Sequence, residues 1–94
     1  MAHVLVRHKV EDFAQWKRAF DVDAIVREDG GSQGGYVFQR ADDPHEVFIL
    51  LGWDTMDHLR QFVQSSELKE RMHRAGVVGS PDVYLLSLVD SPSI

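Results

Sequence analysis

The segment HVLVRHKV, residues 3–10, alternates apolar and polar side chains with a period of two. That period places Val4, Val6, His8 and Val10 on one face of a strand and His3, Leu5, Arg7 and Lys9 on the other. The period then lengthens. Phe13, Trp16, Phe20, Ala24 and Arg27 recur at intervals of three and four, which is one stripe of a helix of about four turns. Asp12 stands where a side-chain N-cap is needed, and the glycine cluster at 30–35 ends the helix.

YVFQRA (36–41) and EVFILLGW (46–53) are aromatic and β-branched runs joined by DDPH. Pro44 stops a strand and favours a turn, so the pair predicts a hairpin with Asp42 and Asp43 solvated in it. A second helix starts at Asp54 or Thr55 and lines one side with Met56, Leu59, Phe62 and Val63. SSEL (65–68) offers a fresh cap, so this helix is expected in two pieces broken near Ser65, the second presenting Leu68, Met72 and Ala75. Gly76 terminates it, VVGSP (77–81) loops, and DVYLLSLV (82–89) forms the last strand.

The order β-α-β-β-α-β predicts an α+β, ferredoxin-like fold in a single domain spanning 1–94: an antiparallel four-stranded sheet with the helices on one face. VFILLGW is apolar at nearly every position and VYLLSLV nearly so, which marks strands buried on both sides. Helices cover one face only. The other is expected to meet a second copy of the chain, giving a homodimeric barrel through sheet-to-sheet packing.

Size supports that expectation. A domain of 94 residues buries only about 60–65% of its extended surface, and with no cysteine neither disulfides nor a thiolate metal cluster can supplement the core. Absence of cysteine fits the cytoplasm. MAHVLVRHKV is too short and too charged for a signal peptide, and no apolar run approaches the roughly 18 residues of a membrane span. A formal charge of -5 with dispersed acidic residues argues against a nucleic-acid partner.

The stretch GGSQGG (30–35) fits two catalytic spacings, G-x-S-x-G and G-x-x-x-x-G. Both need a strand before and a helix after, and the predicted order here is the reverse. Tyr36-Val37 also stand where a phosphate loop requires Lys-Ser/Thr. The stretch is therefore read as a flexible helix-to-strand connection able to gate a pocket, with Ser32 a loop serine.

The histidines do not form a metal pattern. His3 and His8 point to opposite faces of one strand, and His58 and His73 would lie about 22 Å apart on a continuous helix, at about 1.5 Å rise per residue. His8 shares the helix-covered face with Val4, Val6 and Val10, which leaves two readings: a core histidine satisfied by a neighbour, or a base or ligand contact of near-neutral pKa. Arg27 is either a cation at a helix C-terminus or the anchor for an anionic group. Trp16, Phe38, Trp53 and Tyr84, with Phe62 and Met72, are core residues or the lining of an aromatic site. Tyr36, beside the glycines, is the tyrosine placed to reach a pocket mouth. A cavity of at least roughly 300 Å³ between sheet and helices would separate a ligand site from a filled core.

VEDFAQWKRAF, DPHEVFILLGW and FVQSSELKERMHRAGVVG together resemble the small dimeric α+β barrels of the antibiotic biosynthesis monooxygenase-like superfamily, over most of the chain. The resemblance implies a ligand held between sheet and helices, with cofactor-independent oxygenase or heme-degrading chemistry among its members and polyketide cyclase chemistry in neighbouring barrels. The heme-degrading pattern wants an Asn on the first strand and a Trp and a His on the second helix. This chain has no Asn, and Phe62 and Met72 take the other two positions. What remains is a base, His8, and an oxyanion donor, Tyr36 or Arg27, for an oxygenase or cyclase that uses no cofactor or metal. The alternative is a non-catalytic carrier or interaction module.

Overall fold

The computed structural model describes residues 1–94. Strand β1 (Ala2–Val10) leads into helices α1 (Phe13–Val22) and α2 (Ala24–Gly30), then β2 (Ser32–Arg40) and β3 (Asp43–Trp53). Helices α3 (Met56–Val63) and α4 (Ser66–Arg74) and strand β4 (Val77–Ser87) complete it. The four strands form one antiparallel sheet in the order β2-β3-β1-β4, with β1 between β3 and β4. This is the expected ferredoxin-like arrangement.

Register assigns every strand residue to a face. Val4 pairs with Leu51 and Leu85, and Val6 with Ile49 and Val83, on the side covered by the helices. Ala2, Val4, Val6, Val10, Val47, Ile49, Leu51 and Trp53 form the core there with Trp16 and Leu59. Leu5 pairs with Leu50 and Tyr84, and Phe38 with Phe48, on the opposite side, where no helix lies.

The caps agree with the sequence. The Asp12 carboxylate accepts the Ala14 N–H at 3.1 Å, Thr55 Oγ1 accepts that of His58 at 3.1 Å, and Ser65 Oγ starts α4 by accepting that of Glu67 at 3.2 Å. Gly76 ends α4 with a φ of +89°.

Four boundaries differ. The first helix, expected as one rod, breaks at Asp23, which closes α1 and opens α2 while its carboxylate is drawn into an ion pair with Arg71 at 2.7 Å. The glycine stretch is not a long loop. Gly31, at φ +116°, caps α2 in the left-handed region and β2 starts at once, so Ser32 is a strand residue. Gly35 lies so close to β3 that a Cβ there would drive into the Leu50 carbonyl, so this glycine serves strand contact rather than flexibility. Pro44 lies inside β3, near its start and beyond the part paired with β1, where a missing N–H costs no ladder bond on that side. Finally, VVGSP belongs to β4, which stays paired through Val77 and Val78 but bulges at Gly79–Pro81.

Candidate functional site

Between the sheet and the helices lies a cavity of about 90 Å³, bounded mostly by apolar side chains. Its floor is Val4, Val6 and His8 of β1 with Ile49, Leu51 and Trp53 of β3; its walls are Trp16 and Phe20 of α1, Val26 and Arg27 of α2, and Phe62, Leu68 and Met72 from α3 and its successor α4. This is well below the roughly 300 Å³ typical of a small-molecule site.

His8 is the polar exception in the floor. It is only 3% exposed, and its ring meets Trp16 edge-on with centroids 5.4 Å apart. Its Nδ1 is fully buried and finds no hydrogen-bond partner, a situation that costs about 1–3 kcal/mol and is rare in folded proteins. Loss of hydration pushes its pKa below the ordinary 6.5, so the ring is neutral at neutral pH. The β4 bulge sits beside it: Arg7 pairs with Asp82 and Lys9 with Val78, leaving His8 opposite Gly79–Pro81. Bulges of this kind recur next to functional side chains.

From His8 a continuous stack runs outward. Trp16 stacks on Phe20 with centroids 5.0 Å apart, and the Arg27 guanidinium lies 3.5 Å above the Phe20 ring while donating to the Phe20 carbonyl at 2.7 Å. Burial lowers the Arg27 pKa from its ordinary value against the pull of Asp23 and Asp21, and the group stays charged. Across the cavity, Trp53 packs on Phe62 at 4.9 Å and donates its indole N–H to the Gly30 carbonyl at 2.8 Å, tying the end of α2 to the sheet.

Six of the candidate residues are thus gathered in one place: His8, Trp16, Arg27, Trp53, Phe62 and Met72 all border the cavity. Three are not. Tyr36 pairs with Leu50 and Phe38 with Phe48, so both side chains leave the sheet on the uncovered face, where their rings stack at 6.0 Å. Tyr84 does the same opposite Leu5. The physical reason is strand alternation: Val37 and Val83 hold the inward positions that their aromatic neighbours would need. Tyr36 does reach the rim of a separate outer groove between α2 and β2. Asp23 and Arg71, which sequence reading missed, meet at the cavity from segments 48 residues apart, a pairing without local signature.

The uncovered face carries a second unforeseen feature. The Glu46 side chain is 2% exposed, held by Arg7 and by Arg40 at 2.9 Å, with Asp82 on Arg7 at 2.8 Å and Asp42 on Arg40 at 2.7 Å. The Arg40 contact, with Arg7, keeps the Glu46 carboxyl below its ordinary 4.5. Nowhere do three His, Asp or Glu side chains converge as metal ligands would. No helix is long and apolar enough to cross a membrane.

No family model matches the chain, and no curated protein matches it in sequence. Solved structures do. SnoaB of Streptomyces nogalater, described as a cofactor-independent oxygenase, superimposes with a TM-score of 0.78 at 13% identity, over 99% of this chain and 97% of that one. A protein of Bordetella bronchiseptica assigned as an antibiotic biosynthesis monooxygenase gives 0.77 at 16% identity, over 94% and 96%. One of Caulobacter crescentus with the same assignment gives 0.72 at 19%, over 95% and 90%. With the strand order and the helix-covered face already described, the chain has the α+β fold of the antibiotic biosynthesis monooxygenase-like proteins.

Proposed function

We propose that the protein is a homodimer that binds an apolar or aromatic small molecule between sheet and helices, with His8 as the base of a cofactor-independent oxygenase or a polyketide-type cyclase. The observation that carries this reading is the buried, unpartnered Nδ1 of His8 in an otherwise apolar floor. A neutral imidazole in a dry site is ready to take a proton from an acidic phenol or an enolisable ketone. In the oxygenase, the resulting electron-rich anion adds molecular oxygen at a ring C–H carbon to give a hydroperoxide, which loses water to leave a quinone carbonyl there. The C–H and O–H hydrogens depart in the water and the ring supplies the electrons, so no external reductant is needed. In the cyclase, the enolate attacks a carbonyl of the same chain. Arg27 is the cation near the developing oxyanion in either case. The likeness to SnoaB adds support for the oxygenase.

Dimerisation belongs to the same proposal. Tyr36, Phe38, Tyr84 and Leu86 are 65%, 50%, 53% and 39% exposed on the face that lacks helices, an apolar area that a second sheet would cover. In this arrangement Tyr36, Phe38 and Tyr84 are interface residues.

The small cavity favours a second reading, a non-catalytic carrier or interaction module whose core is nearly filled. An oxygen electrode decides between them. Hydroxylated polycyclic aromatics and poly-β-ketones are offered to the wild type and to His8→Ala. Turnover that disappears in the variant while its melting temperature falls only modestly supports His8 as base. Oxygen uptake marks the oxygenase, and product without uptake marks the cyclase. Unchanged turnover with a stability loss near 3 kcal/mol makes His8 a core residue.

A further inference from the structure

The inner cavity of about 90 Å³ is smaller than the roughly 150 Å³ that houses a single benzene in a well-studied engineered cavity, so no aromatic ligand fits it alone. A second depression of about 480 Å³ lies on the outer side of α2, against the start of β2. The two spaces share three wall residues, Phe20, Arg27 and Leu51. Of these, Arg27 alone has a long, rotatable side chain, and its guanidinium carbon sits 3.5 Å from the centre of the Phe20 ring at the boundary.

Arg27 is one of two arginines without an ion pair, and the other, Arg18, is exposed. Arg7, Arg40, Arg60, Arg71 and Arg74 each pair with a carboxylate within 4.0 Å, and Arg71, the other cation at the cavity, is occupied by Asp23. Arg27 is half-buried and forms no ion pair, feeling Asp23 and Asp21 only at longer range; its one hydrogen bond goes to a backbone carbonyl, which leaves most of its five donors free. A partly dehydrated cation without an anion is a poor arrangement for stability and a good one for binding an anion.

We infer that Arg27 is the partition between two compartments of one ligand site, and that it selects an aromatic ligand carrying an anionic oxygen, a carboxylate or a phenolate. The inference rests on the ligand site proposed above and specifies its substrate class. The outer groove is the access route. The anionic group draws the guanidinium off Phe20, the compartments merge past the roughly 300 Å³ threshold, and the ring takes the vacated face of Phe20. The stack from Phe20 through Trp16 then leads the ring toward His8.

The test uses two probes of one shape, 2-naphthoate and its uncharged amide 2-naphthamide. Each is titrated into the ¹⁵N-labelled full chain while the indole N–H signals of Trp16 and Trp53, the two tryptophans and both cavity residues, are followed. Wild type is expected to bind naphthoate about tenfold more tightly than the amide, the size of one charge-assisted hydrogen bond. Arg27→Leu loses that preference with amide affinity unchanged or improved, and Arg27→Lys keeps part of it. Val26→Phe, which fills the inner compartment, weakens both probes. Equal binding of both probes by wild type, or an unchanged preference in Arg27→Leu, overturns the role of Arg27; if Val26→Phe still weakens both, the ligand site survives without it. Failure of both probes to move the indole signals, or binding indifferent to Val26→Phe, overturns both.

Discussion

The two faces of the sheet are built from the same four strands and end up in opposite states. On the helix side, Val4, Val6, Val47, Ile49 and Leu51 are all buried, and the sole polar side chain buried among them is His8. On the other side, Phe38, Tyr84 and Leu86 stand open beside a five-membered charge network centred on Glu46. The covered face is thus apolar with one unsatisfied polar group, and the open face mixes satisfied charges with unsatisfied apolar area. In the function proposed above, a ligand answers the first defect and a second sheet the other.

The comparison breaks most sharply at the covered face. Trp53→Ala removes a fully buried ring and the indole bond to Gly30, and unfolding in urea should show a loss of about 3–5 kcal/mol. A loss under about 1 kcal/mol would mean that the helices do not depend on this contact. On the open face, Phe48→Lys should leave the monomer folded but raise the dimer dissociation constant at least about thirtyfold, the scale of a hot-spot truncation of about 2 kcal/mol. Light scattering that finds wild type already monomeric at micromolar concentration removes the barrel.

Two smaller effects come from titration. The Glu46 carboxyl is held low by Arg40 and Arg7, so the fold binds its proton less readily than the unfolded chain does. The stability it provides is present above the ordinary 4.5 and lost as pH falls through the lower folded value. Glu46→Gln should flatten the acid limb of a stability-against-pH curve, and an unchanged limb would detach the network from folding. His8 is also held low, by burial, but here the neutral form is native. Stability therefore falls as pH drops below 6.5 and the unfolded imidazole takes a proton, with a slope of at most about 1.4 kcal/mol per pH unit. His8→Gln should erase that slope. A slope that survives the substitution belongs to another group.

Much of this was legible in the chain. Period-two alternation put Val4, Val6 and His8 on one face, the caps at Asp12, Thr55 and Ser65 placed three helix starts, and the run VFILLGW announced a strand with apolar residues on both sides. The side taken by Tyr36, Phe38 and Tyr84 is not set by their aromatic character but by strand parity; counted from inward-facing Val37 and Val83, all three face away from the cavity. The glycine stretch misled for a related reason. Its composition suggests flexibility, whereas Gly35 is required by the close approach of β3.

By itself, then, the sequence determined the order of elements, the two faces of the first strand and the arrival of His8 and Arg27 on the helix-covered side, because those follow from periods of two and about 3.6 that act over a few residues. Tertiary structure alone decided what depends on contacts between distant segments. The Asp23–Arg71 pair that accompanies the break between α1 and α2, the burial of Glu46 under two arginines, the volume of the cavity and the free charge on Arg27 all depend on which side chains from remote stretches come within about 4 Å, the reach of an ion pair, and no local period encodes that.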